Sequence, residues 1–547
     1  MRVTTDWRYS WLSEYPCAMP SVVPYPRMPL WILLERAALR YPDHPACTLY
    51  DSVTTYRELA DDARRLATSL QRLGAKPGRR IGLLLPNIPE YLVALQAVWL
   101  TGATALQLSP LMVAEEVAHW VEATDCTTII TLDLLAPAVL SSLGKGPLEH
   151  VVLTSLVRRM AMWRGMLYRF ERLRRNGFLM LPDDNQRHRF ETLLDASPLC
   201  KPVDIDPYED VAVLAPTGGT TASPKAVQLT HANLLANAMQ LRHWMGGDDC
   251  TDSVLAVLPF FHAYGLSVSL LASWAAGSTM HLHPRFEAAA TWDILQRRRP
   301  TIVPAVPAML AALNHVKRGK EVDLSFVRAV VSGASALSPE VRGEFARTGV
   351  QRIVEGYGLT EASPVTHVNP PDHPRPGTLG QVLPDTQARL LDVDENGVGE
   401  LLVRGPQVMK GYFNNPLATA EALRDGWLHT GDMARVDADG FYTLVDRKRD
   451  IIKTSGFLVF PAEVEEALRN HPHIADAAVI GVPDAEKGEV VKALVVPRPG
   501  IRLDSVALQE YCKQHLGKHK RPRTIEVVTE LPRNFLGKVL RRKLRQS

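Results

Sequence analysis

The stretch Leu214-Ala-Pro-Thr-Gly-Gly-Thr-Thr-Ala-Ser-Pro-Lys225 decides how this chain is read. Hydroxyls and glycines close on a lysine, a composition suited to holding a polyphosphate. Gly218 and Gly219 let the main chain approach a ligand and aim N–H groups at phosphate oxygens. Thr217, Thr220, Thr221 and Ser223 add hydroxyl donors, and Lys225 adds a point charge. The apolar residues 211–215 predict a buried strand, and residues 232–244 predict a helix. The segment is therefore expected to form a strand–loop–helix phosphate cradle. Its glycine and lysine spacing is not that of a P-loop. Taken alone, the same residues also read as a Gly/Thr/Ser-rich surface linker.

With 547 residues the chain is too long for one hydrophobic core, so at least two domains are expected. A composition of 46% hydrophobic and 22% charged residues is that of a folded globular protein. The formal charge of +3 is too small to argue for a nucleic-acid partner. Six scattered cysteines without a CxxC pair fit a reducing compartment, and argue against a zinc site or a disulfide framework. The polar start Met1-Arg-Val-Thr-Thr-Asp-Trp7 lacks the apolar core of a signal peptide, so a cytoplasmic location is expected. Residues 91–114 and 253–284 carry no acidic residue, lysine or arginine. Gln96, Gly102, Gln107 and Pro110 in the first, and Pro259, His262, Gly265 and Gly277 in the second, point to buried strand–turn–helix segments rather than membrane spans.

Short apolar runs (residues 81–85, 128–132, 254–258, 301–304, 329–332) alternate with helical patterns at 56–73 and 288–297. That alternation predicts an α/β fold with largely parallel sheets. After about residue 377 come short strands with Asp/Asn/Gly turns. A charged knot, Asp446-Arg-Lys-Arg-Asp450, reads as a linker. Beyond it a helix at 461–470, strands at 477–482 and 490–497 and a helix at 504–513 make a compact α+β unit.

Four further strings carry chemistry. In Val354-Glu-Gly-Tyr-Gly-Leu-Thr-Glu361, Gly356 and Gly358 flank Tyr357, which can offer its face to a planar base. Thr360 and Glu361 add a hydroxyl and a carboxylate suited to Mg²⁺ beside phosphates; the string also reads as a tight turn before a helix. Gly426-Trp-Leu-His-Thr-Gly-Asp432 places an aspartate that either makes an Asx-turn or grips vicinal hydroxyls. Leu531-Pro-Arg-Asn-Phe-Leu-Gly-Lys538 reads by composition as a basic helix start. In Leu258-Pro-Phe-Phe-His-Ala-Tyr-Gly265, a lone His262 among aromatics reads as a hydrogen-bonded core residue.

Together these strings resemble the adenylate-forming (AMP-binding) superfamily, and most of all its long-chain fatty acyl-CoA synthetases, from about Tyr56 to Leu544. The family usually has glycine at the position of Ala222 and often at that of Ala226. If the loop needs a positive φ at 222, alanine would cost about 1 kcal/mol.

The resemblance implies a large N-terminal AMP-binding domain (1–448) of parallel sheets layered with helices, with a small β-barrel-like subdomain. It also implies a mobile α+β C-terminal domain (449–547) that turns about Arg449. It assigns the loop Thr217, Gly218, Gly219, Thr220, Thr221 and Lys225 to the ATP phosphates. Gly356, Tyr357 and Gly358 go to adenine, Thr360 to the α-phosphate, Asp432 to ribose, and Arg447 to ribose or phosphate. Glu361 with Thr217 would hold Mg²⁺, and Lys538 would be the catalytic lysine. His262, Gly333 and Ala334 would line the acyl pocket, and Ser455, Gly456 and Phe457 the coenzyme A path. The implied reaction is ATP-dependent activation of a medium- or long-chain fatty acid to an acyl-adenylate, then transfer to CoA. Transfer to another acceptor, such as a carrier protein, and a non-catalytic binding role are the alternatives. Against the first, no insertion that would restrain the C-terminal domain is visible between Gly377 and Arg449. Against the second, the charged residues are all present.

The segment from Arg158 to Arg175 carries seven arginines and one glutamate. On a helical wheel Met162, Trp163, Met166, Leu167, Phe170 and Leu173 share one face. That pattern suits peripheral contact with an anionic membrane, but suits somewhat better a helix docked on the protein's own core.

Overall fold

In the computed structural model, structure is described for residues 20–160, 165–166, 170, 174, 183–199, 201–217, 225–317, 322–448, 450–454, 457–484, 488–534 and 537–546. The expected α/β alternation is present as two large sheets. In the first, six strands run parallel: Pro45–Leu49, Thr279–Leu282, Ser253–Ala256, Ile302–Ala305, Ala329–Ser332 and Ile353–Gly358. Antiparallel strands cover both of its edges: Ser52–Thr55 on one side, Val365–Val368 and Gln381–Val382 on the other. In the second sheet Arg187–Arg189, His150–Thr154, Cys126–Leu132, Arg80–Leu84, Thr104–Gln107 and Val211–Thr217 are parallel. Lys225–Thr230 and Gly411–Tyr412 extend it antiparallel.

One core joins the two sheets. The helix Pro89–Leu100 is buried at every position, and it packs with residues of both sheets in a single apolar cluster. A helix hydrophobic all round has no solvent face to offer, so it must lie between layers. Trp99 is fully buried within it, and its indole N–H donates to the Ala212 carbonyl at 3.0 Å. Trp99→Ala would cost about 3–5 kcal/mol. The helix Tyr56–Arg72 opens on a reciprocal cap: Thr55 Oγ1 accepts from the Glu58 N–H at 3.3 Å, and Glu58 Oε2 accepts from the Thr55 N–H at 2.8 Å.

A third, antiparallel sheet contains Gln387–Leu391, Gly399–Arg404, Trp427–Val436, Leu423–Arg424 and Tyr442–Arg447, the expected barrel-like subdomain. The C-terminal unit has its own five-stranded sheet, with the helix Pro461–Arg469 and a separate apolar cluster. No helix among the described residues is long and apolar enough to cross a membrane.

Three local expectations are corrected. The phosphate segment is strand–loop–strand: residues 225–230 pair back on Val211–Thr217, and the helix His231–Met245 begins only after that second strand. Asp446 and Arg447 are not linker residues but the end of the strand Tyr442–Arg447, and Asp446 and Asp450 are both buried. Glu361 precedes no long helix; it sits in the single 3₁₀ turn Thr360–Ala362.

Candidate active site

The hairpin sets Thr217 opposite Lys225 in register. Thr217 Oγ1 donates to the Lys225 carbonyl at 3.1 Å, closing the base of the loop. Gly218, Gly219, Thr220, Thr221 and Ala222 lie outside the described residues. Ala226, in contrast, is an ordinary buried strand residue opposite Pro216 and is not among the positive-φ positions. Past the hairpin, Thr230 and Asn233 cap the next helix reciprocally, with contacts of 3.0 and 3.2 Å.

The Lys225 ammonium stands 4.8 Å from the centroid of the Tyr412 ring. The Tyr412 hydroxyl in turn donates to Glu361 Oε1 at 2.9 Å. Burial first, then the Glu361 charge, push that hydroxyl's pKa up, so it stays a donor. Tyr412 reaches this position because Gly411–Tyr412 pairs with the hairpin strand at Gln228 and Val227. Nothing in the local Gly-Tyr-Phe string marks it. Among the described residues no group of three His, Cys, Asp or Glu side chains could hold a metal. Glu361 is the carboxylate at hand, and its Oε2 keeps lone pairs free of the tyrosine bond. One carboxylate fits a Mg²⁺ ion whose other ligands are phosphate and water oxygens.

Tyr357, Asp432 and Arg447 form a second group. The Tyr357 hydroxyl donates to Asp432 Oδ2 at 2.6 Å, and Arg447 Nε lies 3.1 Å from Asp432 Oδ1. Asp432 stands inside the strand Trp427–Val436, after Gly431 at φ +69°, rather than in an Asx-turn. Burial and the neighbouring carboxylate raise the Tyr357 pKa.

His262 lies on the loop after the strand Ser253–Ala256. Its Nδ1 accepts the Tyr264 N–H at 3.2 Å. Burial pushes its pKa down to about 4, so the neutral ring carries its proton on Nε2. The chain then opens into a wide i→i+5 turn over Gly265–Leu271, a feature frequent at functional sites. A Cβ at Gly265 would fall 2.2 Å from the Pro259 carbonyl oxygen, so only glycine fits. The Tyr264 hydroxyl donates to the Val331 carbonyl at 2.8 Å and its ring packs over Gly333, where a Cβ would meet it at 3.1 Å. Next to Gly333, Ala334 takes a left-handed φ of +71°.

Lys538 closes a tight turn. Asn534 Oδ1 accepts the Lys538 N–H at 2.9 Å, and the Lys538 carbonyl accepts the Asn534 N–H at 2.9 Å. Gly537, at φ +77°, sits so close to the helix Pro307–Lys317 that an added Cβ would lie 2.8 Å from Ala308. Arg449, Ser455 and Gly456 lie outside the described residues, and Phe457 is described only as the first residue of a strand. Most of the arginine-rich segment is likewise outside them. Arg159, at its start, turns inward to an ion pair with buried Glu90 at 2.9 Å.

One cavity of about 1290 Å³ joins these groups. Thr217, Tyr357, Glu361, Arg447, His262 and Lys538 all line it, and so do Gly333 and Ala334. From His262 an apolar limb continues between the helix His231–Met245 and the first sheet, past Trp244, Val268 and Val331.

A family profile described as "AMP-binding enzyme" matches residues 34–413, and one described as "AMP-binding enzyme C-terminal domain" matches residues 463–538. The chain is 37% identical to a long-chain-fatty-acid–CoA ligase of Bacillus subtilis (strain 168), over 98% of this chain and 97% of the relative. It is 35% identical to a feruloyl-CoA synthase of an Amycolatopsis species, over 90% and 93%. The crystal structure of an anthranilate CoA ligase in complex with anthranoyl-AMP superposes with a TM-score of 0.81 at 26% identity, covering 96% of this chain and 98% of that one. With both profiles matched in chain order and the relatives aligned nearly end to end, the chain belongs to the family of AMP-binding enzymes.

Proposed function

We propose that this enzyme activates a medium- or long-chain fatty acid with ATP and transfers the acyl group to coenzyme A. The observation that carries the reading is the single cavity whose lining passes from Thr217, Glu361, Arg447 and Lys538, by way of His262, to apolar residues such as Trp244, Val268 and Val331. Such a limb suits a hydrocarbon tail. The affinity to long-chain-fatty-acid–CoA ligases supports the same substrate class.

In the first half-reaction a carboxylate oxygen attacks the α-phosphorus of ATP, and the bond to the β-phosphate oxygen breaks. Orientation and neutralisation of charge are what this step needs. Thr217, Lys225 and the loop between them hold the β- and γ-phosphates, and Asp432 with Arg447 grips the ribose. Tyr357 with its flanking glycines receives the adenine, and Thr360 bonds the α-phosphate. Glu361 would hold Mg²⁺, which supplies further neutralisation of phosphate charge. The Nε2–H of neutral His262 orients the carboxylate, and Lys538 bridges carboxylate and α-phosphate oxygens as charge builds there. In the second half-reaction the C-terminal domain turns about Arg449, withdrawing Lys538 and bringing Ser455, Gly456 and Phe457 to the site. The CoA thiolate then attacks the acyl carbon, and AMP leaves with the electrons of the broken C–O bond.

The test is a panel of C8 to C20 fatty acids with ferulate, supplied with ATP, Mg²⁺ and CoA, with AMP, pyrophosphate and acyl-CoA measured. Fatty acyl-CoA and AMP in equal amounts are expected. AMP without acyl-CoA, or turnover of ferulate alone, would overturn the reading. The segment from Arg158 to Arg175 serves in this proposal as a peripheral membrane contact; no co-sedimentation with anionic vesicles at low salt would remove that claim.

A further inference from the structure

The apolar limb of the cavity does not end on apolar side chains. It passes Val254 and Ile302, and at the ends of the parallel strands remote from His262 it reaches Asp252 and Arg328. These two residues precede the parallel strands Ser253–Ala256 and Ala329–Ser332. They form a two-point fork: Arg328 Nη2 lies 2.6 Å from Asp252 Oδ2 and Nε lies 3.1 Å from Oδ1. Arg328 Nη1 also donates to the Met245 carbonyl at 2.6 Å, tying the fork to the end of the helix that forms the limb's other wall. Thr301 Oγ1 donates to Asp252 Oδ1 at 2.7 Å, which holds the carboxylate in place. Their side chains are 27% and 14% exposed. The fork is therefore partly buried, between the apolar limb and solvent.

We infer that the Arg328–Asp252 ion pair is a gate that sets the upper limit of acyl chain length, an inference that rests on the fatty-acid reading above. A tail gains affinity from each methylene it buries. That gain stops at the fork, because a methylene pressed on a guanidinium–carboxylate pair must either halt or break two charge-assisted hydrogen bonds. Asp252 and Val257 bracket the strand Ser253–Ala256, beyond which the loop carries His262, and the five residue steps between them span roughly 16 Å at about 3.3 Å each. An extended hydrocarbon advances about 1.25 Å per bond for C–C bonds of about 1.5 Å. The gate is therefore met by tails of about fourteen carbons.

The experiment is kcat/KM for saturated acids from C8 to C22, in the wild-type enzyme and in the double variant Arg328→Ala with Asp252→Ala. Removing both charges together leaves neither partner stranded. The wild-type profile is expected to stop rising near C14. In the double variant the C20-to-C12 ratio should rise at least tenfold, while the C8 acid, whose tail stops well short of the fork, changes less than threefold. A second variant approaches from inside: Ala276→Phe, on the wall near the same end of the limb, should move the ceiling down by several carbons. A C20-to-C12 ratio within twofold of wild type in the double variant, or an unmoved ceiling in Ala276→Phe should the double variant not fold, would overturn the gate. A wild-type enzyme that turns over no fatty acid at all would instead overturn the function on which the gate depends.

Discussion

Asp432 and Arg447 face one another in register across two antiparallel strands, with Arg447 Nε 3.1 Å from Asp432 Oδ1. Tyr357 holds the other carboxylate oxygen at 2.6 Å. The carboxylate is thus fixed in orientation yet keeps lone pairs for two further donors, as vicinal hydroxyls would supply. Hydrogen bonds to a charged group are worth about 1.5–3 kcal/mol. Asp432→Ala is accordingly expected to raise the KM for ATP about ten- to a hundredfold, while Tyr357→Phe, which only frees the carboxylate to rotate, raises it less than tenfold. Steady-state kinetics with ATP varied would check the order, and equal effects would refute the positioning role of Tyr357.

Tyr412 connects the phosphate hairpin to the candidate metal carboxylate, with Lys225 on its ring and Glu361 on its hydroxyl. Tyr412→Phe keeps the ring and so the cation contact, but releases Glu361. The Mg²⁺ concentration for half-maximal activity should then shift several-fold, with the KM for the fatty acid unchanged. A Mg²⁺ titration of the variant decides it, and an unmoved midpoint would separate Glu361 from the metal.

Much of this architecture is legible in the sequence because its chemistry is local. The strings around Thr217, Tyr357, Asp432 and Lys538 each carry glycines and charges within a few residues; those of Thr217, Tyr357 and Lys538 line one cavity, and Asp432 is joined to it through Tyr357 and Arg447. The helix Tyr56–Arg72 announces itself by its periodicity. What is missed depends on distant pairing. Residues 225–230 look like the tail of a loop until Val211–Thr217 and Gly411–Tyr412 are seen on either side. Tyr412 carries no local mark because its role comes from a strand nearly two hundred residues earlier. The fork of Arg328 and Asp252 escapes for the same reason: each stands at the start of its own strand, and only the parallel sheet brings those starts together.

Four histidines are held neutral by burial. His231 and His367 are pushed down to about 3, and His262 and His281 to about 4, from an ordinary value of 6.5. The unfolded chain takes up these protons near pH 6.5, the folded chain only near pH 3–4, so between those values the unfolded state binds more protons. Stability should be fully present above pH 6.5 and decline as the pH falls toward 4, by up to about 1.4 kcal/mol per pH unit for each histidine. Thermal melting from pH 8 to pH 4.5 would show it as a plateau followed by a steep fall. His281→Gln, which keeps a polar partner for Thr48 Oγ1, should make the fall shallower; an identical slope would mean that other groups carry it.

The turn that carries Lys538 is expected to matter to one half-reaction only. Lys538→Ala should abolish fatty-acid-dependent exchange of pyrophosphate into ATP, by at least a hundredfold, while thioester formation from supplied acyl-adenylate persists. Gly537 offers an independent handle on the same step. Its turn packs on the helix Pro307–Lys317, and a Cβ there would press on Ala308 at 2.8 Å as well as forcing a side chain into the left-handed region. Gly537→Val disturbs the approach of Lys538 without touching its charge. Pyrophosphate exchange should fall about tenfold or more with little change in the KM for ATP, because Asp432 and Arg447, the residues proposed to hold the nucleotide, are unaltered. Shortening the contact residue in the double variant Gly537→Val with Ala308→Gly should recover part of the rate. Loss of both half-reactions together in Lys538→Ala would show that the lysine supports the fold of the site rather than the first step. Absence of any recovery in the double variant would show that the contact with Ala308 is not what positions the turn.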